Sequence, residues 1–470
     1  MTRPQRHRLL HGYPLAAAMP YLDADVRARM DLGDPEFEFA DDATAETLVG
    51  VLPHPFCNPK VSGCGFCTFP HESFNSARSA AVVQAVIQEI GDRVRTQPAI
   101  HRRKITGLYL GGGTANLTPA ASFRSLARKL SDVFDMSAAE VSLEGVPAYF
   151  LKRKPLLIDV MQEEMQARHF RISMGMQTFS EKRLREMGRQ AFGFATTFKE
   201  AVDLAHDRGM TISGDLLFNL PGQTLTEMRE DVRRAVEIGL DQICLYHLVM
   251  FRGLGTTWSK DETMLAGIPG NEQAADHWLQ LRDDLISQGY RQTTLTNFEH
   301  TKFVGDDRRY RYELDSFQPD RYQMLGFGPA GISYGLTKRR STTLKTMNPE
   351  SSAEYMQAVR SRRPVWIRQF RYQTADKEIL HLTRRIAALG IETERFSHAF
   401  GTGAWEKYSD ALDMLAEEGL IERNDHSILI TPRGMFFADS IAGFLAERRM
   451  TTDGIDRGKI RLNDNSGGYM

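Results

Sequence analysis

The sequence predicts an α/β protein with a partial (β/α)6 TIM-like barrel, followed by a smaller winged-helix-like module. Three observations predict this fold. Short apolar or β-branched runs alternate with amphipathic helical patterns between residues 46 and 300. The central runs begin about 30 to 40 residues apart, which is the length of one strand and its helix. Near the carboxyl end, helical patterns precede a β-hairpin pattern and a last helix.

Seven segments have the composition of buried strands. They begin at Leu48 (LVGVL), Gly107 (GLYLGGGT), Val141 (VSLEG), Arg171 (RISMGMQT), Thr211 (TISGDLLFNLPG), Gln242 (QICLYHL) and Gln292 (QTTLTNF). In a barrel of parallel strands the chemistry collects at the carboxyl ends of the strands. We therefore expect the functional residues to follow or end these segments.

The helices between the strands have clear beginnings and faces. Residues 77–94 place their apolar side chains on one face of a helix. Thr224 and Glu227 have the spacing of a capping box, and Gly239 marks the end of the helix that this box opens.

The change of pattern along the chain predicts five segments. They are an N-terminal extension (1–45), the partial barrel (46–300), a bridging segment (301–374) with a polar linker near 338–346, the C-terminal module (375–446) and a flexible tail (447–470). A winged-helix shape often binds DNA, but this module has mixed charge and no basic stripe. We expect it to pack against the barrel instead.

The composition excludes several classes of function. Lys and Arg number 59, Asp and Glu number 60, and the chain has 41% hydrophobic residues. It has no general electrostatic attraction to nucleic acid or an anionic membrane. No stretch approaches the roughly 18 apolar residues that span a bilayer, and His11, Gly12 and Pro14 interrupt the first apolar run. We expect a cytoplasmic protein with a small-molecule substrate.

Three of the four cysteines, Cys57, Cys64 and Cys67, lie within one short loop after the first strand. This clustering is typical of a metal site in a reducing compartment. Three thiolates can hold a [4Fe–4S] cluster and leave its fourth iron open. The alternatives are a zinc site with His54 or His71 as the fourth ligand, or three unrelated thiols. Cys244 falls in an apolar strand, where we expect a buried thiol.

Several motifs in order resemble those of the HemN-like branch of the radical S-adenosylmethionine (SAM) enzymes. The resemblance covers about residues 45–446. It rests on Pro55-Phe56-Cys57 and Cys64-Gly65-Phe66-Cys67, on Gly111-Gly112-Gly113-Thr114, on Glu144, on the segment 174–180 (MGMQTFS), on 184–189 (LREMGR), on 215–224 (DLLFNLPGQT), on 325–334 (LGFGPAGISY) and on 431–434 (TPRG).

The resemblance implies a [4Fe–4S] cluster on Cys57, Cys64 and Cys67, with SAM chelating the fourth iron. It further implies that one electron, from a donor such as flavodoxin or ferredoxin, cleaves SAM to a 5′-deoxyadenosyl radical. The residues that it assigns to SAM are Phe66, Gly112, Gly113, Thr114, Glu144, Gln177, Arg189 and Asp215. The two glycines would let the backbone approach the methionyl group.

The chain departs from the family pattern at three positions. The first cysteine gap holds six residues where the family has three, and Lys60, Ser62 and Gly63 would have to make that longer loop. Val51 stands where the family commonly has Tyr. Phe69 stands where the oxygen-independent coproporphyrinogen dehydrogenases carry a further Cys, which argues against that decarboxylase.

Within the branch, the resemblance favours two-SAM enzymes, which are the class C methyltransferases, the cyclopropanases and the methylating heme-degrading relatives. Such an enzyme would transfer a methyl or methylene group from a second SAM to an sp2 carbon of a small aromatic or heterocyclic substrate. The turn at 326–332, with Gly328 and Ala330, would hold that second SAM. The candidates for the required base are Tyr246, His247, Asn297, Glu299 and Tyr312. The alternatives are a coproporphyrinogen dehydrogenase-like enzyme and a HemW-like heme chaperone.

Overall fold

A computed structural model describes residues 5, 12–15, 19–22, 24–30, 45–58, 64–69, 71–152, 154–336 and 343–452. Most of the predicted N-terminal extension and tail lies outside these residues, as do Lys60, Ser62 and Gly63. No helix of the described part is long and apolar enough to cross a membrane.

The helices are α1 (Ala24–Arg29), α2 (Ser76–Thr96), α3 (Ala120–Val133), α4 (Pro147–Lys152), α5 (Leu157–Glu164), α6 (Glu181–Glu186), α7 (Ala195–Asp207), α8 (Leu225–Glu237), α9 (Glu262–Ala266), α10 (Asn271–Ser287), α11 (Tyr312–Ser316), α12 (Ser352–Arg360), α13 (Thr374–Ala387), α14 (Thr393–Phe400), α15 (Ala404–Glu417), α16 (Pro432–Phe436) and α17 (Ala438–Thr452).

The strands are β1 (Glu46–Val51), β2 (Phe56–Cys57), β3 (Glu72–Ser73), β4 (Arg103–Lys104), β5 (Gly107–Leu110), β6 (Phe134–Asp135), β7 (Glu140–Gly145), β8 (His169–Gln177), β9 (Thr211–Phe218), β10 (Gln242–His247), β11 (Tyr290–Gln292), β12 (Asn297–His300), β13 (Tyr322–Phe327), β14 (Ile332–Leu336), β15 (Thr343–Met347), β16 (Arg368–Tyr372), β17 (Gly390–Glu392), β18 (Ile421–Arg423) and β19 (Ser427–Ile430).

One twelve-stranded sheet organises the chain, in the order β11-β12-β10-β9-β8-β7-β5-β1-β13-β14-β15-β16. The six strands β1, β5, β7, β8, β9 and β10 are parallel and follow one another in sequence order, as in the predicted partial barrel. Because these strands are parallel, their carboxyl ends meet at one edge, where the cysteine loop begins.

The two faces of the parallel strands differ in chemistry. The outer face carries apolar side chains such as Val141, Ile172 and Ile212, which are fully buried in the main core. The inner face carries polar side chains: Arg171 on β8 donates hydrogen bonds of 2.5 Å to Ser213 and Gln242. Strand alternation therefore lines the inside of the partial barrel with polar groups.

The capping box that opens α8 is confirmed. The backbone N–H of Glu227 donates to the Thr224 hydroxyl at 3.3 Å, and the backbone N–H of Thr224 donates to the Glu227 carboxylate at 2.8 Å. The helix predicted over 77–94 is also confirmed as α2, with Asn75 as its cap.

The predicted seventh strand at Gln292 is wrong as a continuous strand. The chain forms two short antiparallel strands instead, β11 and β12, separated by a turn. In that turn the Thr294 hydroxyl accepts hydrogen bonds from the backbone N–H groups of Thr296 and Asn297, at 3.4 and 3.2 Å. These local bonds satisfy the backbone without a sheet neighbour.

The segment predicted as a bridge, 301–374, extends the sheet. Strand β13 pairs in parallel with β1, and β14, β15 and β16 follow as antiparallel neighbours. The expected linker near 338–346 is therefore wrong in its second part, because 343–347 is strand β15, and residues 337–342 lie outside the described part. The domain boundaries themselves stay predictions.

The C-terminal module has the predicted order of helices and hairpin. Helices α13, α14 and α15 precede the hairpin β18-β19, to which β17 adds a third strand. The module packs against the barrel, as expected: Arg433 forms an ion pair of 2.9 Å with Glu272 on α10, and Arg395 forms one of 2.7 Å with Asp320.

Candidate functional site

The carboxyl edge of the parallel strands brings together most of the residues predicted to bind a cofactor. Glu144 on β7, Gln177 at the end of β8 and Asp215 on β9 each keep part of their surface exposed, although their strands are central in the sheet. Asp215 pairs in register with Gly175. These polar groups therefore border one open space on the inner side of the sheet.

Cys57, Cys64 and Cys67 lie at the same edge and are free thiols with partial exposure. The Thr114 hydroxyl lies 3.4 Å from Cys57 Sγ, and Arg189 Nη1 lies 3.2 Å from Cys64 Sγ. The three thiols are close enough to influence one another's ionisation. The tertiary structure thus anchors both ends of the loop, whose residues 59–63 lie outside the described part.

Within the described ranges, no three His, Cys, Asp or Glu side chains converge on a single metal position. His54, a predicted zinc ligand, is fully buried: its Nδ1 accepts from the backbone N–H of Phe56 at 3.2 Å and its Nε2 lies 3.1 Å from the Thr118 hydroxyl. Both ring nitrogens of His54 therefore already have partners, which disfavours His54 as the fourth ligand of a zinc site.

Burial sets the protonation of two of the thiols. Burial raises the pKa of Cys57, and it raises the pKa of Cys67 to about 12. A thiolate ligand in such a place needs a strong positive charge beside it, and ferric or ferrous iron supplies that charge. These two thiols therefore become thiolate ligands only together with a bound metal cation.

The glycine turn after β5 lets the segment that leads into the cysteine loop pack directly against it. At Gly113, where φ is +50°, an added Cβ would lie 2.9 Å from the backbone carbon of Pro55 and 3.0 Å from the Phe56 oxygen. At Gly112, where φ is +84°, it would meet the Leu52 side chain at 2.7 Å. These glycines let the cysteine loop pass directly over the turn, and their predicted approach to a methionyl group remains a prediction.

Arg189 is the buried cation of the site. Its Nη2 donates to the Gly175 carbonyl at 2.6 Å, and its guanidinium lies 4.7 Å from the centre of the Phe192 ring. Its Nε is buried and makes no hydrogen bond. A buried guanidinium N–H without an acceptor is suited to an anionic ligand group such as a carboxylate.

A carboxylate behind β8 holds the segment that carries Gln177. Asp231 accepts hydrogen bonds from the Thr178 hydroxyl at 2.8 Å and from the backbone N–H of Phe179 at 2.7 Å. Gln177 itself has a φ of +73°, which a non-glycine residue rarely adopts. The clamp by Asp231, on α8, was not predicted from the sequence, because only the tertiary fold places α8 behind this turn.

Trp258 covers the cysteine loop, another contact that the sequence did not predict. Its backbone N–H donates to the Gly65 carbonyl at 2.9 Å, and its ring lies 5.9 Å from the Phe66 ring. A Cβ at Gly65 would overlap the indole. Phe66, one of the residues that the resemblance assigns to SAM, thus packs against Trp258.

The turn at 326–332 is held by a buried carboxylate on α2. Glu89 accepts from the backbone N–H of Gly328 at 2.9 Å, from the Tyr355 hydroxyl at 2.6 Å and from Asn348 Nδ2 at 2.9 Å. The backbone N–H of Ala330 donates to the Pro349 carbonyl at 2.8 Å. These groups secure the turn beside β1, while its role toward a second SAM stays a prediction.

Two of the predicted base candidates end β10 but face opposite sides. Tyr246 lies on the inner face and stays partly exposed. His247 lies on the outer face, where its ring is 5.1 Å from Phe436 of the C-terminal module. Asn219 connects it to α10, because Asn219 Nδ2 lies 3.1 Å from His247 Nδ1 and Asn219 Oδ1 lies 2.7 Å from His277 Nδ1.

The prediction that Glu299 and Tyr312 lie on this rim is wrong. Strand β12 runs antiparallel to β10, so Glu299 pairs with Gln242 at the opposite end of the sheet. A Cβ at Gly107, at the start of β5, would lie 3.0 Å from the Tyr312 ring. Asn297 lies between the two ends, opposite Cys244, which is buried as expected.

Comparisons with known proteins agree with this fold. Residues 51–235 match the model of the radical SAM superfamily, and residues 387–437 match that of the HemN C-terminal domain. The structure of coproporphyrinogen III oxidase (HemN) from Escherichia coli, described as a radical SAM enzyme, superposes with a TM-score of 0.71 at 19% identity. It covers 92% of this chain and 96% of that one.

Curated relatives cover most of the chain. The heme chaperone HemW of Lactococcus lactis is 21% identical over 389 residues, 82% of this chain and 94% of its own length. The anaerobilin synthase of Escherichia coli O157:H7 is 26% identical over 437 residues, 92% of this chain and 91% of its own. An oxygen-independent coproporphyrinogen III oxidase of Cereibacter sphaeroides is 25% identical over 323 residues, 66% of each chain.

These comparisons do not support the predicted class C methyltransferase branch or a second SAM molecule. They fit the predicted alternatives, the coproporphyrinogen oxidase-like enzymes and the heme chaperones, better. A radical SAM domain does imply a [4Fe–4S] cluster and SAM. Residues 51–235 of the chain therefore match a radical SAM domain and residues 387–437 match a HemN C-terminal domain, and heme chaperones and coproporphyrinogen III oxidases are among its relatives.

Proposed function

We propose that this protein is a radical SAM enzyme that holds a [4Fe–4S] cluster on Cys57, Cys64 and Cys67 and acts on a tetrapyrrole. One observation carries the first part of the proposal. Three free thiols lie beside the buried Arg189 at the edge of the sheet, and the Arg189 guanidinium lies 3.2 Å from Cys64 Sγ. A cation at this position reduces the repulsion among thiolates and a bound anionic group.

When bound, the cluster and SAM supply a 5′-deoxyadenosyl radical. In this proposal the chain binds and orients SAM at the strand ends. The Glu144 and Asp215 carboxylates accept hydrogen bonds from its amine and ribose hydroxyls, and Arg189 faces its carboxylate. Gln177 donates from its side-chain amide. Trp258 packs over the loop and against Phe66, and so fixes the loop on the barrel.

The names of the relatives favour a tetrapyrrole. Heme, anaerobilin and coproporphyrinogen III are all tetrapyrroles, and the alignment with anaerobilin synthase extends over 92% of this chain. The partly exposed aromatic side chains of Tyr109 and Tyr246 on the inner face suit a large, flat and mostly apolar substrate. We therefore infer that the substrate is heme or a related macrocycle.

A second candidate function is heme binding without radical chemistry. It is favoured by the heme chaperone HemW of Lactococcus lactis, 94% of whose length this chain covers. A chaperone would bind heme stoichiometrically and leave SAM uncleaved, whereas an enzyme would consume SAM and alter the macrocycle.

An anaerobic assay tests both functions. The reconstituted protein is mixed with SAM, a one-electron reductant, and either heme or coproporphyrinogen III. We expect 5′-deoxyadenosine and a changed absorption spectrum of one macrocycle, with neither product from the Cys57→Ala variant. Heme binding without 5′-deoxyadenosine would favour the chaperone, and an unchanged macrocycle would overturn the proposed substrate class.

The same assay decides how the macrocycle is altered. With methyl-deuterated SAM, labelled product together with S-adenosylhomocysteine would support the methyl transfer that the resemblance favours. Release of carbon dioxide from coproporphyrinogen III would instead support an oxidase-like decarboxylation.

A further inference from the structure

Tyr109 projects from the central strand β5 into the inner space of the site. Strands β1 and β7 flank β5, yet the Tyr109 side chain keeps part of its surface exposed. It lies two residues before the glycine turn, and a Cβ at Gly111 would lie 2.7 Å from Glu144 Oε2 and 3.0 Å from Tyr109 Cδ1. Tyr109 and Glu144 thus meet beneath the turn, at the place proposed for SAM.

The Tyr109 hydroxyl donates a hydrogen bond of 3.0 Å to Glu144 Oε2. Burial, together with this neighbouring carboxylate, raises the pKa of Tyr109 well above its usual value, so the phenol keeps its hydrogen at any physiological pH. A phenolic O–H bond is weaker than the C–H bond of a primary carbon, so a phenol whose hydroxyl turns from its carboxylate acceptor toward a primary carbon radical transfers its hydrogen atom downhill.

A second ring lies behind the first. Tyr312 is stacked on Tyr109, with 5.2 Å between ring centres and 27° between planes. Tyr312 is buried, and its cluster also includes Tyr322, with Tyr310 and Tyr334 packed against it. Stacked and buried aromatic rings stabilise a neighbouring phenoxyl radical by delocalisation and by excluding water.

We infer that Tyr109 is a catalytic residue that quenches the 5′-deoxyadenosyl radical when no substrate hydrogen is in reach. The inference rests on the proposed SAM cleavage. In the step, the O–H bond of Tyr109 breaks, a C–H bond forms at the 5′ carbon, and the products are 5′-deoxyadenosine and a neutral tyrosyl radical. One electron from the reductant that reduces the cluster, with one proton from water, later restores the tyrosine.

Exchangeable hydrogen makes this step measurable. The holoenzyme is incubated anaerobically in D2O with SAM and a thiol-free reductant, without a tetrapyrrole, and 5′-deoxyadenosine is analysed by mass spectrometry. We expect one deuterium per molecule, because the hydroxyl of Tyr109 exchanges with solvent. Freeze-quenched samples are expected to show the electron paramagnetic resonance spectrum of a tyrosyl radical.

Three variants assign the donor. Tyr109→Phe is expected to lose most of the deuterium and the tyrosyl spectrum, while keeping the iron content and the unfolding midpoint. Tyr334→Phe, which lacks contact with Glu144, is the matched control and is expected to keep both. Cys244→Ala tests a second exchangeable hydrogen on the inner face, that of a buried thiol.

The outcomes separate this inference from the proposed function. Failure to form any 5′-deoxyadenosine would overturn the proposed function. Normal 5′-deoxyadenosine that carries no deuterium, or that loses its deuterium in Cys244→Ala and not in Tyr109→Phe, would overturn the role of Tyr109 alone.

Discussion

The carboxylate of Glu299 accepts a hydrogen bond of 2.6 Å from the backbone N–H of Tyr310. This bond closes the amino-terminal end of the barrel, because Tyr310 in turn covers Arg171, whose guanidinium lies 3.9 Å from the centre of the Tyr310 ring. The segment that follows β12 therefore covers the inner space at the amino-terminal end of the parallel strands. The cysteine loop lies at their carboxyl end.

Glu299 should make stability depend on pH. Burial raises its pKa from 4.5 to about 7 in the folded chain, so the native state holds this proton more tightly than the unfolded chain does. The free energy of unfolding should therefore fall as pH rises from about 4.5 to about 7, by up to about 3 kcal/mol. Glu299→Gln keeps an acceptor for Tyr310 and should lose this part of the dependence. Urea titrations at several pH values measure it, and parallel profiles for both proteins would contradict the prediction.

Any side chain at Gly113 should lower the free energy of unfolding. Gly113→Ala would force a Cβ against the backbone of Pro55 and Phe56, at 2.9 and 3.0 Å. Gly209 is the matched control, since its φ is +67° and no atom lies within 4 Å of its added Cβ. Gly209→Ala should cost about 1–2 kcal/mol for the backbone conformation alone, and Gly113→Ala about 1–3 kcal/mol more. Equal losses in denaturant titrations would show that the packing over the glycine turn has no energetic weight.

Replacing Asn219 by Ala should lower the free energy of unfolding more than replacing it by Gly. Asn219 has a φ of +60°, which favours glycine, and its side chain bonds both His247 and His277. Asn219→Gly removes only those bonds, at about 1–3 kcal/mol. Asn219→Ala adds backbone strain of about 1–2 kcal/mol. The two unfolding free energies measure the difference, and a more stable Ala variant would refute the explanation.

The iron content of the reconstituted protein should fall when Cys67 is replaced and stay unchanged when Cys244 is replaced. Cys67→Ala should lose the iron and the visible absorption of the reconstituted protein, because a [4Fe–4S] cluster with two protein thiolates is poorly held. Cys244→Ala changes a buried thiol outside the loop and should keep both. Intact iron in Cys67→Ala would remove this residue from the ligand set.

The sequence alone predicted the parallel strands, the helix α2, the capping box of α8 and the cysteine loop. Each is encoded locally: strand alternation, a helical apolar face and a Thr-x-x-Glu spacing need no distant partner. The polar residues that end the strands could be assigned to one edge because parallel strands share an edge.

Other features depended on residues far apart in the chain. The sequence did not predict that Trp258 packs over Gly65 or that β13 pairs with β1. Nor did it predict that the Asp231 carboxylate accepts a hydrogen bond from the backbone N–H of Phe179. It placed Glu299 and Tyr312 on the wrong rim because strand direction after β10 is decided by sheet pairing. Gly112 and Gly113, which the resemblance assigned to SAM, also proved to be needed for packing, since only the folded chain shows which backbone passes over Gly113.

The sequence by itself thus determined the kinds of chemical group in the site and the order in which the chain presents them. Only the tertiary structure decided which of those groups share the inner space, such as Tyr109 with Glu144, and which face away, such as His247. The physical reason is that local hydrogen bonding and periodicity set the secondary structure, whereas the neighbours of a side chain depend on the pairing of distant strands and the packing of helices.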